Sequence, residues 1–222
     1  MYRPTKSIGC NIGHMPRGFR SQQDAPAGTD GPRERILAAA ERCIDRYGLR
    51  KTTIDDIASE AGLSRPSVYH YFADRDELLI ELIVRHGRAM INQAKKSMSR
   101  QSGFPDRIIT GLLYIADHAR RDPLTRHVIE PDGTSLGRRM RTSGTSELLR
   151  AELFDPFLDI AFANNELPSA LPRADVLLWL GNLMMMVMRG LEDGDGDVKR
   201  YRSILHRFVA PAFAGLDAKL NA

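Results

Sequence analysis

The stretch that decides the fold runs from Thr52 to Phe72, TTIDDIASEAGLSRPSVYHYF. Thr53 is an N-cap candidate, and Asp55 and Asp56 fall in the first turn behind it, where the helix dipole favours anions. Ile54, Ile57, Ala58 and Ala61 make a short inward stripe, and Gly62 ends it. A second short helix begins after only Gly62, Leu63 and Ser64, with Ser64 as its N-cap and Pro66 in its first turn. Two short helices joined by a three-residue turn that opens on glycine form the helix-turn-helix pattern. Tight helical corners also occur in plain bundles, so the composition of the second helix has to decide between the two.

That helix places three aromatic rings and a histidine in succession, Tyr69 to Phe72. On a helical wheel Val68 and Phe72 share the side that faces the other helices. Pro66, Ser67 and His70 fall opposite, with Tyr69 and Tyr71 on the flanks. An outer face with small residues near its start suits a major groove, which is about 12 Å wide and admits one helix, entered by its N-terminal residues. Tyrosine hydroxyls can bond phosphates there, and ring carbons can touch thymine methyls. Arg65 can fork onto a guanine or hold a phosphate. Arg75, at the start of the next helix, adds a cation to a positive dipole end, and Lys51 and Thr53 can do the same ahead of the first short helix. No carboxylate lies between Gly62 and Ala73. The bland alternative packs the two tyrosines against neighbouring helices. It accounts for either one alone, but less well for Pro66, Ser67, His70 and both tyrosines together.

Outward from this stretch the chain reads as helix throughout. Ahead of it, Ile36, Ala40, Cys43, Ile44 and Tyr47 recur at helical spacing from Pro32, and Gly48 closes that helix. Behind it, a long helix starts at Asp74 with Glu77 as a capping-box pair and runs through Leu78, Leu79, Leu82, Ile83, His86 and Met90. From about Phe104 only helical signals occur. A polar, Gly-rich segment around 131–146 reads as loop or short helix pieces, and Pro156 is expected to kink the helix after it. Residues 172–192 are apolar nearly all round and are expected to be buried on several sides. A last helix carries Ile204, Leu205, Phe208, Val209, Ala212, Phe213 and Leu216, with Pro211 bending it. There is no useful strand alternation and no internal repeat. The fold class is therefore all-α. Residues 1–31 lack periodicity and read as a disordered tail, with a DNA-touching basic arm as the alternative; Met15 is a possible true start.

Composition sets bounds. The chain has 222 residues, 42% hydrophobic and 27% charged, with a formal charge of +4. Such a balance permits a nucleic-acid partner without requiring one. Arg33 to Met90 holds ten Lys and Arg and ten Asp and Glu, so placement of charge must do there what total charge does not. The two cysteines, Cys10 and Cys43, form no disulfide framework and suit a reducing cytoplasm. The apolar run Val176 to Met188 is shorter than the roughly 20 residues that span a bilayer, so no membrane partner is expected. No phosphate loop, nucleophile elbow or HExxH zinc motif occurs. Asp193, Asp195 and Asp197 alternate like the start of a calcium loop, but Val198 and Ile204 stand where its glycine and glutamate belong. His118 and His127 do not share a helical face. We therefore expect no enzyme activity, no metal and no cofactor; an all-α enzyme or metal protein is the weaker rival.

The segment KTTIDDIASEAGLSRPSVYHYFADRDELL, from Lys51 to Leu79, closely resembles the DNA-binding domain of the TetR (tetracycline-repressor-like) transcriptional regulators. The matching pieces are the paired threonines, the DIA core, the AG-L-S turn, the YHYF run and the DELL that opens the long helix. The likeness covers roughly Arg33 to Ile83. It implies an N-terminal helix-turn-helix domain at 32–78 and a C-terminal helical effector-binding and dimerisation domain at 79–222. It also implies a cytoplasmic homodimer on a palindromic operator in double-stranded DNA, repressing until a small effector releases it, with the last two helices pairing between subunits. The DNA-facing candidates are then Lys51, Thr53, Ser64, Arg65, Pro66, Ser67, Tyr69, His70, Tyr71 and Arg75. The pocket candidates are Tyr114, His118, Phe154, Phe157, Phe162, Trp179, Met184 and Met185, whose methionines adapt to apolar shapes and favour a hydrophobic or aromatic effector. Ala73 departs from the family pattern, which usually has lysine there and so one more phosphate contact. That departure and the neutral N-terminal segment motivate a second rival, a binding module that has lost DNA.

Overall fold

The computed structural model describes residues 31–129, 135–194 and 196–214. The expected tail, Cys10, Asp195, Leu216 and residues 130–134 of the Gly-rich segment lie outside them. Eleven α-helices and no strand occur among the described residues. The first three are α1 (Pro32–Tyr47), α2 (Ile54–Ala61) and α3 (Arg65–Tyr71). Local capping explains their limits. Gly48 takes φ 80° and ψ 155°, returning its N–H to the Ile44 carbonyl. Thr53 and Asp56 form a reciprocal capping box, and Gly62 sits in the left-handed region at φ 67° and ψ 35°. The Ser64 hydroxyl accepts the Ser67 N–H at 3.3 Å.

The long α4 (Arg75–Met98) starts on the Asp74 carboxylate, which accepts the Glu77 N–H at 2.7 Å. The Glu77 side chain returns one residue further out than a capping box requires, accepting from the Ala73 N–H at 2.6 Å. Behind it come α5 (Phe104–Ala119), α6 (Pro123–Ile129), α7 (Ser135–Thr142), α8 (Thr145–Ala163), α9 (Arg173–Asp193), α10 (Val198–Phe208) and α11 (Ala210–Ala214). The Gly-rich segment thus contains helical pieces, and α8 continues as one helix across Pro156. The last helix breaks at Val209, because Pro211 has no N–H to give the Arg207 carbonyl and its ring crowds that turn. Asp197 is spent on the N-cap of α10, accepting from the N–H groups of Lys199 and Arg200.

Two buried cores share α4. The first joins Ile36, Ala40 and Cys43 of α1, Ile57 of α2, Val68 and Phe72 around α3, and Leu78 and Leu82 of α4. It also takes in Leu124, Leu136 and Met140 from α6 and α7. The second runs from Ile91 through Phe104, Leu112, Phe154, Leu158, Leu180 and Leu205. Each fully buried side chain of this kind contributes about 1.5–3 kcal/mol. Ion pairs then clamp α1 to α4, Arg33 to Glu81 and Glu34 to Arg85. Cys43 is buried in the first core, and that burial pushes its thiol above the usual range, keeping it protonated and inert.

Three apolar expectations are corrected. Tyr47 is 45% exposed, because the chain turns away at Gly48 before anything covers the ring. Phe208 is 69% exposed at the α10–α11 break. The α9 helix packs on α5 and α8, with smaller contacts to α6 and α10, and leaves Leu178, Trp179, Met185 and Met186 at 59%, 37%, 39% and 49% exposure. At 21 residues it is long and apolar enough to cross a bilayer by length and composition, yet it is also packed into this helical bundle.

Candidate nucleic-acid interface and ligand cavity

The α3 helix is held by two side chains and displays the rest. Val68 and Phe72 are fully buried, and the Arg33 guanidinium covers the Phe72 ring at 4.7 Å. Arg65, Pro66, Tyr69 and His70 are exposed. Ser67 is half-buried, its hydroxyl 2.8 Å from that of Ser64. Tyr71 is also half-buried, packed against the first core with its ring edge-on to His70 at 5.2 Å. Of the three aromatic rings, Phe72 faces in, Tyr69 faces out and Tyr71 straddles the boundary.

The cations around α3 are already engaged in different ways. Arg65 donates to Asp55 at 2.8 Å across the two short helices and lies over the Tyr69 ring at 5.6 Å. Both partners of that ion pair are largely solvent-exposed, so it is weak and exchangeable. Arg75 behaves differently. Its Nε donates to the Thr52 carbonyl at 2.9 Å and its Nη2 to the Leu49 carbonyl, so it ties the α1–α2 turn to the start of α4. Nothing in sequence spacing pointed to that bond. Thr53 has both donors committed to the Asp56 carboxylate, at 2.9 Å from N–H and 2.6 Å from the hydroxyl. The Thr53 hydroxyl, then its N–H, holds Asp56 below the usual carboxylate range. Lys51 is exposed on the same turn. Ala73 is exposed where the resembling family carries a lysine.

Further along, α4 to α9 line a half-open cavity of about 200 Å3. Phe154, Met184 and Met185 line it, together with Met90, Leu149, Leu153 and Met188, which were not singled out in the sequence. The other pocket candidates sit elsewhere. Tyr114 and His118 stack on each other at 3.9 Å, and His118 borders a separate cleft with Glu41, His86 and Asp122. Phe157 is buried core, Phe162 lies under the Arg173 guanidinium, and Trp179 meets Phe213 edge-on at 5.3 Å near the surface. Among the described residues no group of three or more His, Cys, Asp or Glu side chains is placed to hold a metal.

Comparison with known proteins agrees with this architecture. The sequence model for bacterial regulatory proteins of the tetR family matches residues 36–82, from the middle of α1 into α4. The regulator EthR of Mycobacterium tuberculosis is 38% identical over 85 residues, which is 38% of this chain and 36% of that protein. An uncharacterised helix-turn-helix regulator of Mycobacterium bovis is 29% identical over 98 residues, 44% of this chain and 50% of its own length. The match thus spans half or less of these curated relatives. Thermus thermophilus FadR, a TetR-family repressor solved with lauroyl-CoA, superposes with a TM-score of 0.58 at 18% identity, over 80% of this chain and 93% of its own. RolR in complex with resorcinol gives 0.60 at 14% identity, over 79% and 86%. At such identities the two structures speak for the fold, and the likeness to the tetR family of bacterial regulatory proteins is carried by the helix-turn-helix segment, residues 36–82.

Proposed function

We propose that the chain is a ligand-responsive transcriptional repressor, cytoplasmic and dimeric, that binds a palindromic operator through α3 and leaves it when a small apolar effector fills the cavity. The single observation that carries this reading is the division of α3, with Val68 and Phe72 locked inward and Arg65, Pro66, Tyr69 and His70 turned out. A rigid outward face free of carboxylates is what a groove-reading helix needs. One helix of seven residues touches too few bases for selectivity, so two copies about one DNA turn apart are required. The uncovered apolar side of α9 and Phe208 of α10 supply a surface for that pairing.

The division of labour we infer is residues 32–78 for DNA and 79–222 for effector and partner. The α4 helix connects the two, since Leu82 belongs to the first core while Ile83 and Met90 also line the cavity. Filling the cavity would press on α4 and change the spacing of the two α3 helices. Near-complete release needs the effector to prefer the released state by about 5.5 kcal/mol. Neighbours of the same fold solved with lauroyl-CoA and resorcinol support a ligand-responsive reading. A gel-shift series against the DNA upstream of the chain's own gene tests the reading. It predicts a site with inverted repeats, steep salt dependence, and loss of affinity in Tyr69→Ala. A protein that binds no such site at low salt is not a repressor of this kind.

A further inference from the structure

Within the cavity one feature does not fit a purely apolar ligand. Among the described residues, only Thr125, Ser146 and Arg150 bring polar side chains to its wall. The Thr125 hydroxyl is satisfied, donating to the Ala119 carbonyl at 3.0 Å. Arg150 is not. Its side chain is 21% exposed and held only at long range, Nη1 at 3.5 Å from the Leu177 carbonyl and Nη2 at 3.6 Å from the Glu147 carboxylate. Ordinary N–H···O bonds run about 2.7–3.2 Å, so neither contact is a close one and the guanidinium keeps donor capacity for a ligand. Glu147 is itself mostly in water, at 58% exposure, and screens weakly paired.

The neighbouring helix is shaped around this cation. A Cβ placed on Gly181 of α9 would lie 2.5 Å from both Cζ and Nε of Arg150. Glycine there lets the guanidinium rest against the α9 backbone at the cavity edge. Ser146 lies one turn before Arg150 on α8, so both side chains share a face, and both line the cavity. A hydroxyl and a guanidinium on one face of an otherwise methionine, leucine and phenylalanine chamber make an anchor for a single carboxylate. Phosphate or a nucleotide would bring far more unmatched polar surface into these walls.

We propose that the cavity takes a small monocarboxylic acid, its carboxylate on Arg150 and Ser146 and its apolar body against Leu153, Phe154, Met184 and Met188. Size limits the body. A cavity of about 150 Å3 holds benzene, and drug-sized ligands fill about 300–1,000 Å3. At about 200 Å3 this one suits a single ring or a medium-length chain. The assignment rests on the effector reading above and narrows it from any hydrophobic compound to an amphipathic acid.

Titration calorimetry on the full chain tests it, with octanoate and phenylacetate as acids and 1-octanol as the neutral probe. At least one acid should bind about 10- to 100-fold more tightly than octanol, as a charge-assisted bond to the carboxylate would give. Which acid wins tells chain from ring. Arg150→Gln should remove that advantage and leave octanol unchanged, Arg150→Lys should restore part of it, and Gly181→Ala should act like Arg150→Gln by displacing the guanidinium. Octanol binding as tightly as octanoate to the unaltered protein overturns the proposal without any variant, and so does a folded Arg150→Gln protein with full acid affinity. Gel shifts separate the two layers. If an acid binds through Arg150 but leaves DNA bound, the carboxylate site stands and the effector reading falls. If only the neutral probe releases DNA, the reverse holds.

Discussion

His86 Nδ1 lies 2.9 Å from Asp122 Oδ2, and its other ring nitrogen lies 3.3 Å from Glu41, so one imidazole joins α1, α4 and the start of α6. Asp122 in turn accepts the Leu124 N–H at 2.8 Å and the Thr125 N–H at 3.3 Å, capping α6. Donating to the Asp122 carboxylate holds the His86 pKa above its ordinary value of about 6.5, against the opposing effect of burial. Burial pushes the Asp122 carboxyl up, but the His86 bond and the two backbone N–H groups more than reverse it.

The sign of the pH effect follows. A raised His86 contributes stability in full below pH 6.5 and loses it as pH rises through the raised value. A depressed Asp122 contributes above pH 4 and loses it only in acid, as pH falls through the lowered value. The pair therefore holds α6 to α4 best between about pH 4 and 6.5. We expect urea unfolding to show wild type exceeding His86→Gln by a margin at pH 6 that shrinks steadily toward pH 9. A margin that stays constant across that range removes the charged histidine from the account.

Arg75 yields a prediction that separates two roles. As a phosphate clamp alone, it would affect DNA affinity and leave stability untouched. Its bonds to the Thr52 and Leu49 carbonyls make it a fastener of the α1–α2 turn first. Arg75→Ala should lower unfolding free energy by about 1.5–3 kcal/mol, the range for hydrogen bonds to a charged group. DNA affinity should fall with it, because Lys51 sits on the loosened turn. An unchanged melting temperature with weakened DNA binding would return Arg75 to the clamp role.

Gly48 and Gly62 allow a cleaner comparison. A Cβ added at either one meets nothing within 4 Å, so only the backbone decides the cost. Gly62 is left-handed helical, where alanine loses about 1–2 kcal/mol. Gly48, at φ 80° and ψ 155°, lies in a region that is almost exclusively glycine's, where another residue loses up to about 3 kcal/mol. Denaturant titration of Gly48→Ala and Gly62→Ala should rank them in that order. Equal losses would mean that the α1–α2 turn relaxes.

The same contrast explains what was legible in the sequence. Helix limits from α1 to α4 follow from side chains that bond their own backbone a few residues away, as Thr53, Ser64 and Asp74 do. Such signals are local and survive in one dimension. The inward and outward faces of α3 were readable for the same reason. The cavity was not. Arg150 in SELLRAELF looks like a solvated helix position, and only Gly181 on another helix makes room for it at the cavity wall. Tyr114 and His118 have the residue types of a ligand pocket, yet α5 turns His118 toward the cleft beside His86 instead. Arg75 fits a phosphate clamp by position, but long-range contacts give it carbonyl partners. Side-chain destinations set by other helices leave no trace in local spacing.

The Arg65–Asp55 ion pair bears on DNA affinity. In the free protein Asp55 neutralises the one cation on α3, and its carboxylate also stands near where phosphates would lie. Asp55→Asn frees Arg65 and removes that repulsion, so it should tighten DNA binding and steepen the salt dependence, by about one phosphate's worth of slope. Ala73→Lys should add a similar increment at the α3–α4 corner. Binding measured across a salt series decides both. If Asp55→Asn weakens binding instead, the carboxylate is positioning Arg65 for a base contact rather than opposing the backbone.

The exposed apolar side of α9 makes the last prediction. Leu178 and Met186 are more than two-fifths exposed on a helix whose other side is core, and Phe208 of α10 is exposed as well. Surfaces of this kind on a soluble chain are normally covered by a partner. If the partner is a second copy, light scattering should give about twice the 24.9 kDa chain mass. Leu178→Glu should then give a monomer, because a charge buried in such a seam costs far more than one rim contact returns. The monomer should retain its helical circular dichroism, since Leu178 contributes little to the chain's own core. It should also lose operator affinity although α3 is untouched, because half a site is then read by each molecule. A wild-type protein that scatters as a monomer, or a Leu178→Glu monomer that holds the operator undiminished, defeats the pairing through α9.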